Sequence, residues 1–317
     1  MRTTAIAHPN IALVKYWGKR DRQLNLPAVP SLSVTLAPFQ TETAVEWGCE
    51  QDRFVINGTI AQGPDASRIA SFLDLVDADR PPVHVESTNN FPTAAGLASS
   101  SSAFAALALA TTQAAGQSPT LAQLSTLARQ GSGSASRSLW GGFVTWSHGT
   151  REDGTDSHGH PIAAEDHWDL RVLVALVSDQ KKAISSRDGM NRTQETSPLF
   201  PGWVSSVQAD VNEAEAAILA RDLERLGTTM EHSTMKMVGT MFSAQPAVVY
   251  MKPATVAVLH TVQALRNQGI GAWATMDAGP NVKVLTTPDA EPAVRQALLQ
   301  HVSTVHSLYV GGPAFIQ

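Results

Sequence analysis

Four short stretches of the chain carry side chains suited to handling an anion. In the first, Gly96, Leu97, Ala98, Ser99 and Ser100 lie between a strand-like Val83-His84-Val85-Glu86 and a run of small residues at 103–115. Strand, glycine-bearing loop and helix start, in that order, can bind phosphate. The first helical turn leaves backbone N–H groups unpaired, and the helix dipole adds positive potential there. The serines can cap the helix, donate to phosphate oxygens or ligate a phosphate-bound Mg²⁺. From this stretch alone, a serine-capped core helix and a phosphate loop both remain open. The second stretch, residues 131–137, holds Ser132, Ser134 and Arg137; the third, residues 181–187, holds Ser186 and Arg187. Arginine grips carboxylate or phosphate with two parallel hydrogen bonds. In the fourth, an apolar strand at 270–276 delivers Asp277 into the turn Ala278-Gly279-Pro280-Asn281. Alone, Asp277 reads as a turn cap. Beside a nucleotide it could instead deprotonate a hydroxyl that attacks a γ-phosphoryl group.

Near the start, Lys15 and Lys19 flank Tyr16-Trp17, so ammonium and aromatic groups are offered together. The pattern G-x-x-x-x-G-K-[ST] is absent, which excludes a P-loop site. His158 and His160 read as solvent-facing, with no clear third ligand for a metal.

The elements that must position these groups follow from periodicity. Residues 31–36 alternate polar and apolar, as a half-buried strand does. Ile69, Phe72, Leu73 and Val76 share a helical face, and Ser118-Pro119 reads as the start of another helix. A strong strand spans 169–177, and helices are expected over 207–226, 230–242 and 291–302, with a last strand at 308–310. The domain boundary is placed before that strong strand, giving units 1–168 and 169–317, and no internal repeat is visible. The 317 residues carry a net charge of −5, which argues against a general nucleic-acid binder. Cys49 is the only cysteine, so no internal disulfide is possible. The longest wholly apolar run, at 103–110, is too short to span a membrane. His8-Pro9-Asn10 and Lys15 interrupt any secretory apolar segment, so a cytoplasmic location is expected.

Residues 10–21, from Asn10 through Lys15-Tyr16-Trp17-Gly18-Lys19 to Asp21, resemble the N-terminal motif of diphosphomevalonate decarboxylases, in the GHMP-kinase superfamily. Residues 91–100 resemble their phosphate loop, 131–137 their substrate loop and 277–281 their catalytic-aspartate motif, all in family order. The resemblance implies a two-domain α+β GHMP-kinase fold, the N-terminal unit of the ribosomal-protein-S5 domain 2 type and the C-terminal one a ferredoxin-like sandwich. It implies an ATP- and Mg²⁺-dependent reaction on mevalonate 5-diphosphate. The tertiary 3-hydroxyl is phosphorylated, and phosphate then leaves with CO₂ to give isopentenyl diphosphate and ADP. Asp277 would act on the 3-hydroxyl as base or orienter. Arg137, with Ser134 beside it, would hold the carboxylate, and Lys15 would assist phosphoryl transfer. Tyr16, Lys19, Ser132, Ser186 and Arg187 would bind the diphosphate end, while residues 96–100 would cradle ATP, with Ser100 the side chain beside Mg²⁺. A homodimer is also implied. Close alternatives are a decarboxylase of mevalonate 5-phosphate or a mevalonate 3-kinase; a more distant one is a non-catalytic ligand-binding relative. Two departures stand out. Ala28-Val29-Pro30 replaces the usual Asn/Ser-containing run, and Ser101 stands where alanine is common.

Overall fold

A computed structural model of the chain describes residues 2–91, 99–180 and 182–317. The first half contributes β1 (Arg2–Ala7), β2 (Asn10–Val14), β3 (Lys19–Asp21), β4 (Leu26–Pro27), β5 (Ser31–Ala37), β6 (Thr41–Trp47), β7 (Arg53–Ile56) and β8 (Thr59–Ile60). Next come α1 (Gly63–Asp74), β9 (Val83–Asn89), α2 (Ser99–Ala114), α3 (Leu121–Gly131), a 3₁₀ segment (Gly133–Arg137), β10 (Phe143–Trp146) and β11 (Gly159–Ala163). The second half adds β12 (Arg171–Ala175), α4 (Ser186–Thr196), α5 (Phe200–Ala220), α6 (Leu223–Phe242) and α7 (Pro253–Asn267). It closes with β13 (Ala272–Met276), β14 (Val282–Thr286), α8 (Glu291–Leu298), β15 (Val305–Val310) and β16 (Phe315–Ile316).

Two sheets organise these elements. One has the order β16-β1-β6-β9-β7-β8 and is covered by α1 and α2, whose Phe72, Leu73, Phe104 and Ala105 pack on Val45 and Val85. The small residues of α2 are buried all round: Ala105, Ala106, Ala108 and Ala110 have no exposed surface. Helix and sheet therefore lie close together. The other sheet has the order β11-β10-β5-β15-β12-β14-β13, with β2 also paired to β5. The β15–β5 pairing, Tyr309 opposite Ala37 and Val310 opposite Leu36, joins the two halves of the chain in one sheet. The helices α5, α6 and α7 pack on it through Val207, Val211, Met230, Met237, Val258 and Val262. Among the described residues no helix is long and apolar enough to cross a membrane.

Several local expectations change. All seven residues of β5 are buried, so the polar face of Ser31, Ser33 and Thr35 meets protein and not water. The break between the helices expected over 207–226 and 230–242 falls earlier, between Ala220 and Leu223. Arg221 turns into the left-handed region at φ 54°, and the Asp222 side chain caps the next helix by accepting from Arg225 N–H. The start of α3 is Thr120, not Ser118, with Thr120 and Gln123 forming a reciprocal capping box. The last helix stops at Leu298 and the last long strand begins earlier, at Val305. His160 is exposed in β11, with its ring 4.3 Å from that of His158, and no described group of three ligating side chains could hold a metal there.

Candidate active site

Lys15 follows β2, where the pairing with β5 shifts register between Ala12 and Val14. Such an irregularity re-aims the side chains that follow it. The Lys15 backbone N–H donates to Ser233 Oγ at 3.0 Å, and its side chain is 1% exposed. Asp277 follows β13. Its carboxylate receives Lys15 Nζ on Oδ1 at 3.0 Å and Lys283 Nζ on Oδ2 at 3.3 Å. Burial alone would raise the Asp277 carboxyl, but the two ammonium groups outweigh it and hold it well below the usual carboxylate range. Burial pushes the Lys15 ammonium down to about 8, against the pull of Asp277. The turn after Asp277 is anchored from three sides. Asn281 Oδ1 accepts from Val177 and Ser178 N–H, Thr255 Oγ1 donates to Pro280 O, and Lys182 Nζ donates to Ala278 O at 2.6 Å.

Arg137 ends the 3₁₀ segment and is 1% exposed. Its Nε donates to Ser33 Oγ at 2.9 Å, one terminal nitrogen to Ser31 Oγ at 2.7 Å and the other to Asn10 Oδ1 at 3.2 Å. The polar face of β5 is thus explained: it is the socket of this arginine. Trp146 lies under the guanidinium at 5.5 Å. Asn10 also donates to Ser134 O and Ser138 Oγ, so β2 and the 3₁₀ segment are held in register. Burial lowers the Arg137 guanidinium to about 10, which leaves it charged at neutral pH.

These groups open on a cavity of about 1130 Å³. Lys15, Tyr16, Lys19, Ser100, Ser132, Ser134, Arg137, Ser186, Arg187 and Asp277 all line it, so the sequence candidates from five separate stretches meet. Ser99 opens α2 but does not line the cavity, and Gly96, Leu97 and Ala98 lie outside the described residues. Among the described residues the lining holds six cationic side chains, Lys15, Lys19, Arg68, Arg137, Lys182 and Arg187, against Asp65, Asp188 and Asp277. A net-acidic chain thus presents a local basic concavity, which focuses anions. The Tyr16 hydroxyl is buried with no hydrogen-bond partner among the described residues, a donor left for a ligand. Lys19 is drawn down to about 8 by burial and by the positive Arg187, Arg68 and Arg22 nearby. Trp17, expected at the surface, is 2% exposed; its carbonyl accepts from Trp203 Nε1.

Neither sequence departure disturbs the cavity. Val29 is 1% exposed in the core, and none of Ala28, Val29 and Pro30 lines the site. The Ser101 hydroxyl is buried and accepts from Asn10 N–H at 3.4 Å. Sequence reading missed Arg68, Lys182 and Lys283 as site residues. Arg68 donates to Gly131 O at 2.7 Å and stacks on Phe104 at 4.5 Å. Its sequence signal was its place one turn before Phe72, on the side of α1 that faces inward. The signal for Lys283 was a charge in the middle of the apolar run 282–285.

The α+β fold, its two units joined through one sheet around a basic cavity, is that of a GHMP-kinase-like protein. The sequence narrows this further: the chain belongs to the diphosphomevalonate decarboxylase family. The family model described as diphosphomevalonate decarboxylase-like N-terminal domain matches residues 7–159, and that of the mevalonate 5-diphosphate decarboxylase C-terminal domain matches 172–310. The diphosphomevalonate decarboxylase of Ganoderma lucidum is 39% identical over 313 residues, covering 90% of this chain and 78% of that protein. Mevalonate diphosphate decarboxylase from Staphylococcus aureus superposes with a TM-score of 0.94 at 36% identity, covering 100% of this chain and 98% of its own. A structure of MDDEF in complex with MVAPP, AMPPCP and magnesium superposes with a TM-score of 0.93 at 39% identity, covering 100% and 99%.

The residues present here fit a nucleotide-bound magnesium ion. Ser100 Oγ, in the first turn of α2, lies 3.1 Å from Ser132 Oγ, which lies 3.3 Å from Ser134 Oγ. Hydroxyl oxygens at a helix N-terminus suit a hard cation that keeps phosphate oxygens as its other ligands.

Proposed function

We propose that this protein catalyses the ATP-dependent decarboxylation of mevalonate 5-diphosphate to isopentenyl diphosphate, through transient phosphorylation of the 3-hydroxyl, in the mevalonate route of isoprenoid biosynthesis. The observation that carries the reading is the meeting of Asp277, Lys15 and Arg137 in one basic cavity, together with membership of the family. In this reading Arg137, fixed by Ser31, Ser33 and Asn10, offers its guanidinium to the substrate carboxylate, with Ser134 beside it. The diphosphate end sits among Tyr16, Lys19, Ser132, Ser186 and Arg187. Asp277 accepts the hydrogen bond of the 3-hydroxyl and orients it. A carboxyl held well below its usual range has little affinity for a proton, so its contribution is position and negative charge more than base strength. That charge also stabilises the tertiary carbon, which becomes positive as phosphate departs. Lys15 neutralises charge on the phosphoryl group in transfer.

ATP binds along residues 96–100 and the first turn of α2. The Ser100 hydroxyl would hold a nucleotide-bound magnesium ion, which would supply neutralisation of phosphate charge. We also propose units dividing at 168/169, a homodimer in solution and a cytoplasmic location. Measuring ATP-dependent CO₂ release with mevalonate, its 5-phosphate and its 5-diphosphate tests the reading. CO₂ from the diphosphate is the expected result. Release from the monophosphate alone would assign the reaction to that substrate, and ADP without CO₂ would make the protein a 3-kinase. Light scattering on the purified protein tests the dimer.

A further inference from the structure

Lys283 is the second residue of β14, a strand with neighbours on both sides. It stands opposite Val174 of β12 and Thr275 of β13. Its side chain is 2% exposed. Removing an ammonium group from water is costly, and a strand that needed only packing would carry an apolar β-branched residue there. What this lysine meets is the catalytic carboxylate. Lys15 Nζ takes Asp277 Oδ1 at 3.0 Å and Lys283 Nζ takes Oδ2 at 3.3 Å, so the carboxylate is bracketed by two buried cations. The two lysines are not equivalent. Lys15 lines the large cavity, whereas Lys283 stands behind the carboxylate, beside Pro9, Asn10, Ile11 and Leu308. Among the described residues, the other charged groups around Asp277 are Lys182, from the segment before α4, and Arg137, from the 3₁₀ segment; both line the cavity. Each cation on the cavity side is thus open to capture by an anionic ligand. Among the described residues, Lys283 is the cation bonded to this carboxylate that does not line the cavity.

We propose that Lys283 is a positioning residue for the reaction: it holds the second oxygen of the Asp277 carboxylate, so that Asp277 stays anionic and aligned when Lys15 is drawn to the phosphoryl group in transfer. The inference rests on reading the cavity as the phosphoryl-transfer and decarboxylation centre. A polyanionic substrate favours protonation of any carboxylate beside it. A protonated Asp277 could neither accept from the 3-hydroxyl as an anion nor stabilise positive charge at the tertiary carbon. A counter-ion beyond the ligand's reach prevents that loss.

Two measurements test this. The first is a carboxyl-carbon NMR titration of Asp277 in the wild type, Lys15→Met and Lys283→Met, which needs no turnover. In Lys15→Met, Asp277 is expected still to titrate below the ordinary aspartate range, because Lys283 remains. An ordinary aspartate titration in Lys15→Met would overturn the proposal. The second is kinetic. Lys283→Met is expected to lower kcat at least about tenfold, with KM for the diphosphate substrate and affinity for an ATP analogue nearly unchanged. In the Asp277→Asn background, the same substitution is expected to add no further loss. Additive losses, or an effect confined to KM, would mean that Lys283 acts on packing or on substrate directly, against the proposal. If Lys283→Met does not fold, the Lys15→Met titration decides alone. Absence of CO₂ release by the wild type would instead refute the reading of the reaction, and the NMR result would still report on the Lys283–Asp277 pair.

Discussion

Asp277 and Arg137 are each built into their surroundings before any ligand arrives, one between two ammonium groups and the other in a socket of three oxygens. Asp277→Asn keeps shape and removes charge. It is expected to leave binding of an ATP analogue nearly intact while CO₂ release falls by roughly 10³-fold, as read by calorimetry and a radiolabel assay. Two lysines give the pH dependence. Lys15 and Lys19 are both lowered to about 8, so both are charged below that pH and lose a proton above it. If the ammonium forms are the working ones, kcat/KM, which reports the free enzyme, falls as pH rises past about 8 with a limiting slope near −2. In Lys19→Arg the guanidinium stays charged, and the slope should flatten to about −1. Asp277, Arg137 and Lys15 were legible in the sequence as candidates because they sit in short local patterns, and all three line the cavity. Lys283, Arg68 and the serines of β5 were not. What ties them to the site is a neighbour far away in sequence, as with Ser31 and Arg137, 106 residues apart.

At the scale of elements, the site depends on how α3 gives way to the 3₁₀ segment. Gly131 ends α3 where a Cβ would stand 2.1 Å from the Phe104 ring, and its carbonyl accepts from Arg68. Only a residue without a side chain lets the chain pass Phe104 and deliver Ser132 and Ser134 to the cavity. Gly131→Ala is therefore expected to cost about 1–3 kcal/mol of stability, seen in urea unfolding, and to raise KM for substrate. Element types were largely legible, because apolar spacing and turn residues are local signals. Three features were not. The break at Arg221 has no glycine to announce it. The cap at Thr120 competes with a nearby Ser118-Pro119. The alternation of β5 correctly marks two faces, but local sequence cannot tell a polar face turned to water from one turned to a buried arginine.

At the scale of the molecule, the two halves share a sheet through β5 and β15, so neither half closes its own edge. Strand edges left unpaired are sticky and unstable. Despite two units, unfolding is expected to be one cooperative transition, with tryptophan fluorescence and far-UV circular dichroism coinciding, and residues 1–168 expressed alone should aggregate. Separate transitions would show that the halves are independent. A change of pattern near residue 169 was legible, but the pairing of β5 with β15 was not, since the two strands lie some 270 residues apart in sequence. The basic cavity has a further consequence. Among the described residues, six cationic side chains line this space with three anionic ones, so like charges repel one another across it. Polyvalent anions should act as its structural complement. Inorganic pyrophosphate is expected to raise Tm well beyond the effect of chloride at equal ionic strength, because binding to the folded state alone deepens its minimum. The ligand, on this view, completes a charge balance that the polypeptide leaves open.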